Sequence, residues 1–322
     1  MKKAKARILT RDNAIQTRDS TLAYYVNQLD NFDQRFHEPL FSVTWGRDIK
    51  LRTGLSMANE STSFTRSSIA SVGTQQAAGK PWLSANSNAI PGVDVNGERV
   101  VQPLRLLGNE IAYTSVELER SQLLGQPIDT AKLAAFNILY QMAIDEQVAI
   151  GDAFTGDKGL FNSPLVATGN VVGGLWSAAT PDVILAQVNA LIEQAWAASG
   201  YAVCPRELRI PPAHFALISS KIISAAGSVS ILKYLQDNSI SLSVNGVALN
   251  IQPSKWLTGR GAGGTHRMVA YTNEEDRVRF PMVPVRRETA YYQGIHFTAP
   301  YIWAMGAVEY IYPETAAYAD GI

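Results

Sequence analysis

Only one cysteine, Cys204, occurs in the 322 residues. A lone thiol cannot build an internal disulfide framework, and it supplies too few sulfur ligands for a structural zinc site. It reads as a small buried hydrophobe. The four histidines, His37, His214, His266 and His296, lie in unrelated segments. None shows the His-x-x-x-His spacing that puts two ligands on one helix face. No metal and no cofactor is expected. No stretch approaches the ~18 apolar residues of a membrane span. The opening MKKAKARIL is not followed by an apolar core of signal-peptide length. A protein made and kept in a reducing interior, without membrane contact, is expected.

Charge is also scarce, at 17% of residues. Lys plus Arg and Asp plus Glu number 28 each, so the net charge is zero. A dedicated nucleic-acid reader needs a basic excess, and none is present. Zero net charge with few surface charges suits a chain that associates with copies of itself.

Catalytic motifs are missing as well. There is no Gly-x-Ser-x-Gly elbow and no apparent Cys–His pair. Asp145 and Glu146 are adjacent, so on a helix they point about 100° apart and cannot easily flank one substrate. They read as a polar face or an ion pair with a neighbour. The run Gly259, Arg260, Gly261, Ala262, Gly263, Gly264 tempts comparison with a phosphate cradle. A P-loop needs Gly-Lys-Ser/Thr opening a helix, whereas this run leads into His266, Arg267 and a strand. It is expected to be a flexible loop that lines a pore or a subunit junction. The chain is not expected to be an enzyme.

What is present centres on residues 129–150. This stretch contains neither Pro nor Gly, and Gly151 follows it. It predicts one long helix, capped by Asp129 or Thr130 and ended at Gly151. Asn137, Gln141 and Asp145 recur at spacing four and form a narrow polar stripe. Leu133, Phe136, Ile138, Leu139, Tyr140, Met142, Ile144 and Val148 cover the remaining girth. A helix so apolar is expected to be enclosed by other elements, with Leu139 in a buried face.

Taken in order, residues 1–55 read as a polar arm. Six basic and two acidic residues fall in the first twenty. Residues 56–98 are rich in Ser, Ala, Asn and Gly and predict a long thin β-hairpin, with Asn96-Gly97 as a turn signal. Lys80 is the only lysine in this loop. Residues 99–113 read as a return strand with a break at Pro103. Residues 114–124 read as a short helix with Ser115 as its cap. Residues 165–289 alternate helices and strands and suggest a separate unit. Within it, Thr180-Pro181-Asp182 starts a helix whose buried face is Ile184, Val188, Leu191, Ile192 and Ala195. Ser228 is expected to cap a further helix, and Asn245-Gly246 to turn a hairpin. The run from His296 to Tyr312 predicts a long apolar strand beside the long helix.

This order of parts resembles the Hong Kong ninety-seven fold of tailed-bacteriophage major capsid proteins. The helix exit, with Asp145-Glu146, Gly151-Asp152 and then Lys158-Gly159-Leu160-Phe161-Asn162, is similar to that family's. Residues 278–313 resemble one capsid branch more closely. The resemblance implies an α+β fold. Residues 1–55 would be the N-terminal arm and 56–112 the extended loop. Residues 113–164 and 290–322 would be the peripheral domain with spine helix 129–150, and 165–289 the axial domain.

The resemblance also implies pentamers and hexamers of an icosahedral shell around double-stranded DNA. The implied partners are many copies of the chain, scaffolding and portal proteins, decoration proteins, and non-specific contact with packaged DNA. Arg7, Arg11, Arg18, Trp45, Arg66, Lys80 and Trp82 are expected at subunit contacts, and Gly259, Arg260, Gly261, Gly263 and Gly264 in an axial loop. No Lys–Asn crosslink is expected, because residues 296–312 contain no Asn. An arm that starts almost at once points to a separate scaffolding protein. An encapsulin-like compartment of the same fold is the alternative, and an enzyme using the glycine loop is a third reading.

Overall fold

A computed structural model describes residues 40–72, 85, 92–124, 128–171, 174–224 and 227–322. After a short helix at Trp45–Asp48 come β1 (Lys50–Arg52), β2 (Ser61–Val72), β3 (Gly92–Pro103) and β4 (Arg105–Thr114). A helix at Ser115–Leu124 leads to the spine helix, Ile128–Ala149. Then follow β5 (Ala167–Asn170), a helix at Pro181–Ala198, β6 (Glu207–Ile210), a helix at Pro212–Ser220, β7 (Ile222–Ser224) and β8 (Gly227–Ser230). Helices at Ile231–Asn238 and Ile240–Asn245 precede β9 (Asn250–Pro253), β10 (Arg267–Tyr271), β11 (Val278–Arg287), β12 (Tyr291–Gln293), β13 (His296–Met305), β14 (Glu309–Tyr310) and β15 (Ala317–Asp320).

Two sheets carry the body. In the six-stranded sheet the order β1-β11-β13-β12 is joined by β4 on β13 and β14 on β11. In the five-stranded sheet the order is β5-β15-β10-β6-β9. Sheet membership does not follow the segment limits expected from the sequence. β11 lies within 165–289 yet pairs in the six-stranded sheet. β15 lies within 290–322 yet pairs in the five-stranded one.

The five-stranded sheet separates two cores by the alternation of its side chains. Val269, Tyr271 and Tyr318 face the core that holds the spine. Met268, Ala270, Ala317 and Ala319 face the other, where the Pro181–Ala198 helix buries Ile184, Val188, Leu191, Ile192 and Ala195 as its sequence predicts. The spine packs on β13 through rings. Phe136 and Tyr301 lie 4.7 Å apart, and Tyr140 and Trp303 5.3 Å apart in an edge-on contact.

The spine exit explains its own sequence. Gly151 takes φ +70°, and a Cβ there would meet the Asp157 carbonyl oxygen at 2.3 Å. A Cβ on Gly159 would meet the Ala149 carbonyl carbon at 2.4 Å. That close approach lets Leu160 N–H and Phe161 N–H donate to the Val148 and Ala149 carbonyls, at 2.7 and 2.9 Å. Asn162 donates to the Ile150 carbonyl at 2.7 Å and accepts from Gly159 N–H at 2.8 Å. The phenols of Tyr310 and Tyr318 both donate to the Leu160 carbonyl, at 2.6 and 2.7 Å. Burial pushes the Tyr318 phenol up to about 12.

Several local expectations are corrected. The spine is enclosed on only part of its girth, and Leu139 is 58% exposed. The helix packs its ring-bearing face on β13 and presents another face outward. The polar stripe runs inward at its C-terminal end, where Asp145 is buried. Asn96-Gly97 sits inside β3, opposite Ser68 and Ser67, because twelve paired residues outweigh one turn dipeptide. Asn245-Gly246 ends a helix instead of turning a hairpin. Ser239 caps that helix by accepting from Leu242 N–H, and Gly246 takes φ 70° after its last residue. Ser230, not Ser228, caps the Ile231–Asn238 helix. Thr114 caps the Ser115–Leu124 helix in a reciprocal pair: Glu117 N–H donates to Thr114 Oγ1 and Thr114 N–H to Glu117 Oε2.

Candidate inter-subunit surfaces

Where the chain enters the described body, it is fastened by a buried carboxylate. Asp145 Oδ1 accepts the backbone N–H groups of Thr44 at 2.8 Å and Trp45 at 3.0 Å. These open the Trp45–Asp48 helix, so the carboxylate stands where a capping anion belongs. Asp145 Oδ2 accepts the Trp256 indole N–H at 2.7 Å, with Lys255 Nζ at 3.2 Å. Trp45 itself donates its indole N–H to Gln141 Oε1 at 2.9 Å. The last two members of the spacing-four stripe, Gln141 and Asp145, thus form a docking line for the start of the body. It was visible in the sequence as a stripe, but its direction was not.

A second fastening follows one turn later. Asp48 Oδ1 meets Arg209 Nε at 2.7 Å, and Arg209 Nη2 meets Glu207 Oε2 at 2.8 Å. The Arg209 side chain is fully buried. Burial alone lowers its pKa. Tyr271, Asp48 and Glu207 more than offset this, so the net direction is up and the guanidinium stays charged. Tyr271 adds a hydrogen bond from its phenol to the Asp48 carbonyl at 2.6 Å. No sequence signal marks Arg209 or Asp48, since their partners are 161 residues apart.

β2 and β3 form a ribbon of their own, paired from Ser61↔Pro103 to Val72↔Gly92. Its base is pinned to the body. Arg66 donates to the carbonyls of Tyr310 at 2.6 Å and Ile311 at 3.2 Å. Arg52 bridges Glu309 at 2.8 Å and the Ser63 carbonyl at 3.1 Å. Glu309, fully buried, also takes Arg279 Nε at 2.7 Å. Further out, Ile69 and Val95 are cross-strand partners on one face, 74% and 58% exposed, and Val93 beside them is 75% exposed. Contiguous exposed apolar side chains of this kind mark an interaction surface.

The glycine loop is tied down, which corrects the expectation of a flexible one. Asp320 pairs with Arg267 at two points, 2.6 and 2.9 Å, and accepts Ala262 N–H at 3.0 Å. Gly261 N–H donates to the Thr265 carbonyl at 2.8 Å, and Gly259 N–H to His266 Nδ1 at 3.1 Å. A Cβ on Gly261 would strike Thr265 Oγ1 at 2.5 Å. The His266 and His214 rings lie 5.1 Å apart, edge-on. Burial, then the neighbouring His266, holds the His214 imidazole below its ordinary value. Arg260 reaches a pocket at the C-terminal end of the spine. The loop therefore sits between the spine exit and the Pro212–Ser220 helix. Gly263 and Gly264 take positive φ, 67° and 79°, which favours glycine at both.

Of the expected contact residues, Arg7, Arg11, Arg18, Lys80 and Trp82 lie outside the described residues. Trp45 and Arg66 turn their polar atoms to their own body. Among the described residues no group of three or more His, Cys, Asp or Glu side chains is placed to hold a metal, and no helix is long and apolar enough to cross a membrane.

Similarity to known proteins bears on what this architecture serves. A sequence model described as major capsid protein matches residues 79–322. The chain belongs to the major capsid protein family. Among solved structures, the capsid of Myoviridae phage XM1 superposes with a TM-score of 0.75 at 18% identity, covering 92% of this chain and 98% of that one. The protein of Mycobacterium phage Che8 gives 0.56 at 12% identity, covering 90% and 96%. The SrpI encapsulin of Synechococcus elongatus gives 0.52 at 13% identity, covering 93% and 95%. Among curated protein sequences none matches. The expected capsid fold is borne out, and the phage shell stands ahead of the encapsulin alternative. This capsid protein is a structural component of a shell made of many copies of itself, and it belongs in the virion.

Proposed function

We propose that this capsid protein assembles, without catalysis, into pentamers and hexamers of an icosahedral shell that encloses double-stranded DNA. The observation that carries this is the β2–β3 ribbon. It is pinned at its base by Arg66 and Arg52, while Ile69, Val93 and Val95 find no cover among the described residues. A ribbon held out this way reaches a second copy. Such a heterologous contact, repeated around an axis, closes a ring.

On this reading residues 1–55 act as the arm and 56–112 as the extended loop. Residues 113–164 with 290–322 make the peripheral domain, and 165–289 the axial domain. Arg7, Arg11, Arg18, Lys80 and Trp82 contact neighbours, while Trp45 and Arg66 aim the arm and the ribbon. Residues 259–264 make the axial loop. Assembly takes place in the host cytoplasm with separate scaffolding and portal proteins, and decoration proteins join the outside. Packaged DNA meets the basic arm without sequence preference.

Expression of the chain, alone and with its genomic neighbours, followed by electron microscopy, tests the proposal. Closed shells are expected, and Ile69→Asp with Val95→Asp leaves soluble subunits only. Discrete small oligomers under every condition would overturn it. Nucleotide binding by the chain at millimolar concentration would favour the enzyme reading.

A further inference from the structure

The glycine loop is closed at its stem by an imidazole. The backbone of His266 is fixed: Gly321 N–H donates to its carbonyl at 2.9 Å, and the adjacent Arg267 is paired with Asp320. The His266 ring reaches back across the stem, where Nδ1 accepts Gly259 N–H at 3.1 Å. An imidazole nitrogen accepts only when it carries no proton, so this bond puts the ring's one hydrogen on Nε2. Imidazolium has two N–H groups and no acceptor. A proton taken up at Nδ1 would set donor against donor, and the clasp on Gly259 would be lost.

The second ring also disfavours charge at this place. His214, on the Pro212–Ser220 helix, meets His266 edge-on at 5.1 Å and Trp176 edge-on at 5.7 Å. Its Nδ1 is buried and has no hydrogen-bond partner among the described residues. An imidazolium there would carry an N–H with nothing to receive it. Burial, and then His266, favour its neutral form. No free carboxylate stands by to offset this. β8, β9 and residues 174–180 carry no charged side chain. Lys233 and Asp237, on the Ile231–Asn238 helix, pair with each other at 2.8 Å. Lys221, just past the His214 helix, donates to the Ala179 carbonyl at 3.0 Å. Arg267 from β10 and Asp320 from β15 are paired, and Arg260 on the loop adds only positive charge.

We propose that the two rings form an acid-opened latch: neutral, they hold the stem of the glycine loop shut, and protonated, they release Gly259 and with it Arg260. The far side of the loop stays in place, because Gly261 N–H donates to the Thr265 carbonyl and Ala262 N–H to Asp320. The movement is therefore local, and it reaches the spine exit through Arg260, which lines the pocket there. The latch belongs to the single subunit and does not rest on how copies assemble.

Hydrogen exchange on the unassembled subunit reads the latch at the Gly259 amide, once each rate is normalised to that of an unstructured peptide at the same pH. Opening that takes up one proton is favoured up to about tenfold per pH unit, so protection of this amide should fall at least about tenfold between pH 7.5 and 5.0. His266→Asn offers a carboxamide oxygen in place of Nδ1 and takes up no proton, so its loop should stay shut across this range. His214→Phe keeps a ring against His266 without its charge and should make the fall smaller. Constant protection of Gly259 in the unmodified chain would overturn the proposal, and so would an equal fall in His266→Asn. An undiminished fall in His214→Phe would overturn the pairing of the two rings. A parallel loss in the Pro181–Ala198 helix would also overturn the latch, since the whole body would then be opening in acid. Should His266→Asn fail to fold, the unmodified chain and His214→Phe still decide.

Discussion

Met268 and Val269 point to opposite faces of β10, and each face is covered by the same chain. Ile69 and Val95 face one another across the ribbon, and no described residue covers their outer side. The five-stranded sheet is finished within one subunit, while the ribbon is finished only at its base. Their sequences differ accordingly. β10 reads RMVAY, with every residue after the arginine buried. β2 reads STSFTRSSIASV, where small hydroxyl residues separate scattered apolar ones. A surface of the second kind costs little free energy while exposed, as the proposed role of the ribbon in contacting a neighbour requires. The proposed assembly uses both conditions in one chain: a body that keeps its shape and a ribbon left open to a neighbour.

The largest test of this contrast lies in the finished part. Asp48→Ala takes from the buried Arg209 guanidinium one of its two carboxylates and leaves it only Glu207; removal of a partner from a buried pair costs up to about 3–5 kcal/mol. Urea unfolding of the subunit should register that loss. A cost no larger than that of a surface change would show that the fastening is peripheral. At the boundary, Arg66→Ala removes two charged hydrogen bonds from the ribbon base and should cost about 1.5–3 kcal/mol. Exchange should quicken in β2 and β3 while β10 is unaffected. Spread of the effect into β10 would break the division.

A smaller effect concerns His214. Its folded pKa lies below the ordinary 6.5, so the unfolded chain binds the proton more tightly. The stability this histidine contributes is fully present above pH 6.5 and declines as the pH falls through the folded value. His214→Gln should flatten that part of the stability profile. An unchanged profile would free the glycine loop from this pair. The smallest effect on the subunit is expected in the ribbon. Ile69→Ser with Val95→Ser should leave subunit stability within about 0.5 kcal/mol, even as particles vanish from micrographs. A destabilised subunit would mean that the ribbon is part of the body after all.

Periodic features were legible in the sequence. The long helix, the Pro181–Ala198 helix with its five buried residues, the break after Pro103 and the glycine-governed spine exit all follow from local chemistry. Direction was not legible. Leu139 and Ile144 look alike in a sequence, yet one is exposed and the other buried, because the choice depends on where β13 lies. Long-range ion pairs were hidden too. Glu309 stands in an apolar run with no charged neighbour in sequence, yet it holds Arg52 and Arg279. Asp145 reads in the sequence as a polar face or an ion pair, and it does pair with Lys255; its capping role was not legible. It caps a helix that begins 100 residues earlier in the chain.

Sheet order has a consequence for synthesis. β15 lies inside the five-stranded sheet, between β5 and β10, though it follows both in the chain. Until residue 320 has left the ribosome, β5 has no neighbour and β10 has a bare edge. A chain broken off earlier cannot complete this layer, and it presents open backbone to proteases instead of a usable building block. The arrangement therefore acts as a length check: only polypeptides translated through that strand are fit to join a growing particle.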